Sequence, residues 1–560
     1  MTQPNPSTAQ ARVIVDELHR HGVDYVVISP GSRSAALAIA FEEHSGITTR
    51  VVLDERSASF HALGRSRATG APVVALATSG TALANYLPGV IEADLSLIPL
   101  ILVSADRPPE LLNVGANQTI DQHGIFGEKV RWSCAIPAAG PDLDSNAYWR
   151  SAVSQTMARA KGHGARPGPV HLNVAFREPT VPVSDDGRTR AEPYRHPIEG
   201  RAGDEPWQHH QQIRPVGANL DMGGRGLVVA GEGDFDPKEV FAAARKLGWP
   251  VLATATSGVR VFDVVTTYHH LLVTGVPAVL RPDLVVTIGR IGPSDRLGSL
   301  TSLPVPQVNV DRWGAWNDPR RHSTHLLQAD PAETLAGFSP ASDDGLLRTW
   351  LEANATMRSA LDDHLSADEN PSGPALAHVL DPVDDVIMAA ASSMPIRDVD
   401  AHLARTGRVI ANRGASGIDG FVSTALGAAS ASTGAIALAG DLSFLHDSSG
   451  FIVDEIGDVV FVVVDNGGGG LFDLLPQAEH APAFERLFVT PHHLDLSRVA
   501  SAYDLGVSAV EDVAEIRGTI RARLDAGGAH VVVVPVEREA DLKVRRGLDD
   551  TARAVCAGLS

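Results

Sequence analysis

The run "VVFVVVD" at 459–465 constrains the fold more than any other stretch, because it is apolar at consecutive positions and not at alternate ones. A strand with one wet face alternates, whereas a strand apolar throughout is buried on both faces, as in parallel sheets covered by helices on either side. Related runs recur along the chain, each closed by turn residues and followed by a helical pattern. "DYVVIS", "TTRVVLDE", "PVVALATSGT" and "IPLILVSADRPP" form a first group. "RGLVVAGEG", "PVLATA", "PDLVVTIG" and "PVPQVNVD" form a second, and "RVIANRG", "AIALAGD", "VVFVVVDN" and "AHVVVVPVE" a third. The pattern predicts three consecutive α/β domains with mainly parallel sheets.

At 560 residues the chain exceeds what one hydrophobic core supports. The stretch 184–215 is polar, rich in proline and without period, and reads as a linker; "SPASDDG" at 339–345 is a second polar break. The expected divisions are therefore 1–185, then a linker with the central domain at 186–350, then 351–560.

Composition excludes several classes of function. A formal net charge of −20 argues against general nucleic-acid binding, and an anionic substrate would need a local arginine cluster to override that field. Two cysteines, Cys134 and Cys556, provide neither a disulfide framework nor a thiolate metal site. No apolar stretch is long enough to span a bilayer, and the first residues lack a basic segment followed by an apolar one. A cytoplasmic protein is expected. The pairs His269-His270 and His492-His493 lack metal-ligand spacing and read as surface or packing residues.

In open α/β sheets, ligands sit beyond the carboxyl ends of strands. The third group offers two such ends, Gly440-Asp441-Leu442-Ser443 after "AIALA" and Asn466 after "VVFVVVD", the latter opening four consecutive glycines. Glycine costs conformational entropy on folding, so such a run implies a need for bare backbone. A carboxylate (Asp441), an amide oxygen (Asn466) and a backbone carbonyl (Gly468) make an oxygen donor set suited to Mg²⁺, which completes its shell with ligand phosphates. Amides near "GDLS" can bind phosphate oxygens.

A Gly-Asp pair followed at this distance by Asn resembles the binding motif of thiamine diphosphate enzymes. That resemblance implies an activating carboxylate from another α/β unit. Glu55 of "TTRVVLDERSASFHALG" stands in that position, with Asp54 as the fallback. It also implies a bulky residue that holds the cofactor bent, for which Ile418 of "NRGASGIDGFVSTALGAA" is the candidate, with Ser416 and Leu471 as further cofactor contacts.

The segments "SPGSRSAALA", "LDERSASFHALG", "TSGTALANYLPGVIEA", "LILVSADRPPELLNVGANQTIDQ", "NRGASGIDG" and "GDLSFLHD" together resemble the 2-succinyl-5-enolpyruvyl-6-hydroxy-3-cyclohexene-1-carboxylate synthase family of menaquinone biosynthesis. The resemblance implies a pyrimidine-binding, a central and a diphosphate-binding domain. It further implies thiamine diphosphate with Mg²⁺ or Mn²⁺, and a homodimer or homotetramer with active sites between chains. The implied substrates are 2-oxoglutarate and isochorismate, both dicarboxylates, which guanidinium groups bind bidentately. By motif position the substrate-binding candidates are Ser32, Arg33, Arg107, Asn117, Gln118, Ser393, Arg397 and Arg413. Arg296 joins them, although Asp295 precedes it where some relatives carry a Lys-Arg pair.

Two rival readings remain at this point. One is another thiamine diphosphate-dependent 2-oxoacid decarboxylase or acetohydroxyacid synthase, which would need fewer carboxylate-binding arginines. The other is a dinucleotide-binding oxidoreductase built on "VVAGEGDFDP", whose fingerprint is incomplete because Asp236 stands where a third glycine is expected.

Overall fold

The computed structural model describes residues 4–182, 192–218, 220–367, 370–380, 386–479 and 483–559. Part of the expected linker, 183–191, lies outside the described residues.

Three parallel sheets account for the strands. The first contains β1 (Tyr25–Ile28), β2 (Thr48–Val51), β3 (Val73–Ala77), β4 (Leu100–Asp106), β5 (Ser133–Ile136) and β6 (Val170–Ala175), in the order β2-β1-β3-β4-β6-β5. The central sheet contains β7 (Gly226–Ala230), β8 (Val251–Ala253), β9 (Leu284–Ile288), β10 (Gln307–Asp311) and β11 (His325–Gln328), ordered β11-β10-β9-β7-β8. The third contains β12 (Ile387–Ala390), β13 (Val409–Ile410), β14 (Ala435–Gly440), β15 (Val459–Asp465), β16 (Gly506–Ala509) and β17 (Ala529–Pro535), ordered β13-β12-β14-β15-β17-β16. Apolar runs without alternation are buried on both faces, as expected. Along β1, β3 and β4, residues Val26, Val74 and Ile101 enter one apolar core while Val27, Ala75 and Leu102 enter the other.

The chain divides into two compact units that do not follow the three sheets. One comprises Met1–Ile213, Asn412–Ser432 and His446–Gly457; the other comprises Arg214–Ala411, Thr433–Leu445 and Asp458–Ser560. Within the first unit, helices Glu55–Thr69 and Phe421–Ala429 approach so closely that a Cβ on Gly64 would lie 2.1 Å from the Thr424 carbonyl oxygen. A Cβ on Gly427 would lie 2.0 Å from that of His61, so glycine is required on both sides of the crossing. Sequence polarity could not register this contact, which groups Asn412–Ser432 of the expected 351–560 division with the first unit. The start of that division at 351 also falls inside the helix Gly345–Ser366, which shares a core with the central sheet and the helix Arg538–Ala557 through Trp350, Met357, Leu361 and Leu548.

The glycines of "VVAGEGDFDP" have a packing cause. Glu232 and Arg290 exchange backbone hydrogen bonds at 2.8 Å, and a Cβ on Gly231 would meet the Arg290 carbonyl oxygen at 2.1 Å. Asp236 caps the helix Pro237–Lys246 by accepting from the Lys238 and Glu239 amides. The strand end is closed on itself, which removes the basis of the dinucleotide reading. Among the described residues no helix is long and apolar enough to cross a membrane.

Candidate active site

The third sheet changes direction of winding between β12 and β14, and its functional candidates cluster at those strand ends and the end of β15. Asp441 follows β14 directly, opens the helix Asp441–His446, and is 1 % exposed. Its Oδ1 accepts from the Leu442 amide at 2.6 Å, and its Oδ2 accepts from the Gly468 amide at 2.7 Å. His492 Nε2 lies 3.3 Å from the same Oδ2. Burial pushes the Asp441 carboxyl up, against the opposing pull of these donors. Gly440 pairs with Val464, so Asp465 and Asn466 emerge beside Asp441.

The glycine run is explained by this packing. Gly467 and Gly468 have φ of 72° and 145°, and a Cβ on Gly468 would sit 2.3 Å from the Val489 carbonyl oxygen. Gly469 donates its amide to that same carbonyl at 2.7 Å. Asn466 is half-buried, its Nδ2 close against Gly470. Leu471 follows, half-buried, on the 3₁₀ turn Gly470–Leu474, and Ser443 is buried one turn into the helix from Asp441.

Asp441, Asp465 and His492 each offer a ligand atom, all within 4.8 Å of one another, as no other such group of three does among the described residues. The donor set fits a divalent cation. Gly468 directs its amide at Asp441. One point differs from expectation. His492, read from sequence as a surface or packing residue, belongs to the carboxylate cluster; its partner His493 is exposed with φ of 53°. Spacing could not reveal His492, because it comes from a loop that folds back 51 residues after Asp441.

Ser393, with φ of 77°, is the residue before the helix Met394–His402 that follows β12, and Arg397 one turn later donates to the Ser393 carbonyl at 2.8 Å. Arg296 is held elsewhere: its guanidinium grips both oxygens of Asp549 at 2.7 and 2.8 Å and donates to the His269 carbonyl. The guanidinium expected to meet substrate is thus engaged with Asp549.

In the first unit, Glu55 is the first residue of the helix Glu55–Thr69 and is half-buried. Asp54 is consumed as the cap of that helix, accepting from the amides of Arg56 and Ser57 and from Ser449 Oγ. No such hydrogen bond reaches the Glu55 carboxyl among the described residues, which favours Glu55 over Asp54 as the chemically available acid. Burial, and then the charge of Glu55, push the phenol of buried Tyr86 well up.

Two of the candidate arginines, Arg33 and Arg107, lie near one another. Arg33 pairs with Glu178 at 3.2 Å and donates to the Phe176 carbonyl; Arg107 donates to Ser79 Oγ and to the Asn117 carbonyl. Burial and then the neighbouring charge of Arg33 push the Arg107 guanidinium down, opposed by Asp106 and Glu178. Gln118, with φ of 53°, donates to the Ser79 carbonyl. Beneath lies a polar layer that sequence reading missed: Gln122 accepts from the Gly80 amide and donates to Asn173, whose own amide donates to Asp106. Arg413 and Ser416 lie on the 412–420 loop of the same unit, Ser416 exposed with φ of 61° and Ile418 half-buried. Ser32 is exposed in the turn after β1.

Residues 9–125 match the family "Thiamine pyrophosphate enzyme, N-terminal TPP binding domain", and residues 394–534 match the corresponding C-terminal TPP binding domain. A protein of Thermobifida fusca named 2-succinyl-5-enolpyruvyl-6-hydroxy-3-cyclohexene-1-carboxylate synthase is 41% identical, the alignment covering 98% of this chain and 99% of that protein. The chain belongs to this synthase family. Family members of the same name from Halobacterium salinarum, at 39% identity over 98% of this chain and 99% of theirs, and Rubrobacter xylanophilus, at 38% over 97% and 98%, agree. The crystal structure of benzoylformate decarboxylase from Polynucleobacter necessarius superposes with a TM-score of 0.68 over 96% of this chain and 99% of that one; at 17% identity it speaks for the synthase fold alone.

Proposed function

We propose that this chain decarboxylates 2-oxoglutarate and adds the four-carbon succinyl unit to isochorismate, yielding 2-succinyl-5-enolpyruvyl-6-hydroxy-3-cyclohexene-1-carboxylate and CO₂ in menaquinone biosynthesis. The observation that carries this reading is the full-length likeness to synthases of that name, joined to a buried strand-end carboxylate, Asp441, within a cation-binding cluster. Thiamine diphosphate, when bound, supplies the carbon nucleophile and electron sink that decarboxylation of a 2-oxoacid requires.

The chain's own residues have separable tasks. Asp441, Asn466 and Gly468 would hold a divalent cation and through it the diphosphate, with the amides of Leu442 and Ser443 and the side chains of Ser416, Ile418 and Leu471 around the cofactor. Oxygen donors suit Mg²⁺, and the imidazole of His492 beside them extends the range to Mn²⁺. Glu55 holds and returns a proton on its carboxyl oxygen. Ser32, Arg33, Arg107, Asn117, Gln118, Ser393, Arg397 and Arg413 bind and orient the substrate carboxylates. The protein is proposed to work in the cytoplasm as a homodimer or homotetramer.

The test is a product assay on purified protein with 2-oxoglutarate, isochorismate, thiamine diphosphate and Mg²⁺. Formation of the cyclohexene-carboxylate product with release of one CO₂ supports the reading. Turnover of pyruvate with neither substrate accepted would overturn it in favour of another 2-oxoacid decarboxylase.

A further inference from the structure

The loop 412–420 carries Arg413, Ser416 and Ile418, yet it has little regular structure of its own. A buried carboxylate grips it at two consecutive amides. Glu92, 2 % exposed on the helix Leu87–Ser96, accepts from the Gly414 amide through Oε1 at 2.9 Å and from the Ala415 amide through Oε2 at 2.7 Å. Oε1 also accepts from Arg67 at 3.0 Å and from Ser96 Oγ at 2.8 Å. Arg67 is 8 % exposed and belongs to the helix that begins with Glu55. Gly414 comes so near that a Cβ there would lie 2.7 Å from both the Glu92 carbonyl oxygen and Ser96 Oγ. All of these groups lie within the first compact unit.

A buried carboxylate is costly unless its lone pairs are filled, and here two are filled by consecutive backbone amides of one loop. Two amides pointing at one fixed anion set the direction of the peptide planes that flank Arg413 and Ser416. Charge-assisted bonds of this kind are about twice as strong as neutral ones, so the loop is held in one conformation before any ligand arrives. The small cleft beneath the loop, about 240 Å³ and lined by Phe60, Leu87, Ile91 and Ala415, shows that apolar packing alone leaves space there.

We infer that Glu92, charge-balanced by Arg67, is a positioning residue that presets the 412–420 loop for cofactor and substrate. The inference rests on the proposed role of that loop and deepens it. In Glu92→Gln one acceptor is replaced by an amide that faces a backbone N–H, and the charge-assisted bond from Arg67 is weakened. The affinity for thiamine diphosphate with Mg²⁺, measured by calorimetry, should fall by about tenfold or more, the scale of one lost charge-assisted bond. The double variant Arg67→Met/Glu92→Gln removes the guanidinium facing that amide; it should regain thermal stability without regaining affinity.

Hydrogen exchange read by mass spectrometry supplies the direct readout. In the wild-type protein without ligand the 414–415 amides should be protected, and both variants should lose that protection while the central strands keep theirs. Wild-type amides that exchange as fast as those of an open loop would overturn the inference. So would variants that melt earlier but bind the cofactor with unchanged affinity, since that is the behaviour of a merely structural ion pair. If the wild-type protein itself binds no thiamine diphosphate, the proposed function fails, whereas unchanged binding in Glu92→Gln sinks only the role of Glu92.

Discussion

The first and third sheets have the same strand order, 2-1-3-4-6-5 when each is numbered from its own first strand, yet their carboxyl ends present opposite chemistry. The turns after β1, β3 and β4 bring Arg33, Ser79 and Arg107 together, a positive lip on the same sheet whose β2 is followed by Glu55. The turns after β14 and β15 bring Asp441 and Asp465 together beside glycine-lined backbone. One topology therefore supports anion recognition in one place and cation recognition in the other. The lesson is that parallel-sheet winding fixes where chemistry can sit, and a few residues past each strand decide its sign.

The sharpest way to break this comparison is to remove the charge on the third sheet. Asp441→Ala should lower cation-dependent affinity for thiamine diphosphate by about 100-fold or more, because the diphosphate then lacks its bridging charge. Calorimetry with and without Mg²⁺ checks this, and retained affinity would remove Asp441 from the ligand set. On the first sheet, Glu55→Gln should leave that affinity intact while turnover falls by about 10²–10⁴, the usual span for losing an acid–base group. A variant that loses both together would mean the two sheets do not divide binding from proton transfer.

How much of this was legible beforehand depended on where each residue's partners lie. The long interior strands were visible because consecutive β-branched residues leave no polar face. The strands that escaped reading have physical reasons. β5, β11 and β16 are edge strands with half-exposed patterns, β12 is only "IMAA", and β6 carries His171 and Asn173 in mid-strand. Those two polar residues break the apolar run because they serve the buried layer under Arg107, where Ser104 Oγ meets both. Asp441, Asn466 and Glu55 could be proposed from sequence because residues just past a strand end leave a local signature. Glu92, His492 and Gln122 act through contacts with distant segments, and nothing in their neighbours announces it.

A finer test of the positive lip is Arg107→Ala. The KM for the dicarboxylate substrates should rise by about 10- to 100-fold, as for losing one partner of a hydrogen-bonded charge pair, with cofactor affinity unchanged. Substrate kinetics that hold steady would move the carboxylate clamp to Arg33 and Arg413.

The smallest effect concerns pH, where the two sheets should again differ in sign. On the first, burial pushes His61 down to about 3 and His171 down to about 4, from an ordinary 6.5. The unfolded chain takes up protons below pH 6.5 that the folded chain refuses, so this stability is complete above 6.5 and drains away toward pH 4 and below, by up to about 1.4 kcal/mol per pH unit for each group. His269, held at about 3 beside the central sheet, adds to the same slope. On the third sheet, burial raises Asp441, so its contribution is complete below its unfolded value and is lost as pH rises through the folded one. Thermal melts of the metal-free protein across pH 4 to 8 should therefore flatten at the acid end in His61→Gln and improve at the neutral end in Asp441→Asn. Saturating Mg²⁺ should erase the second difference but leave the first, because a cation offsets a buried carboxylate and does nothing for a buried imidazole.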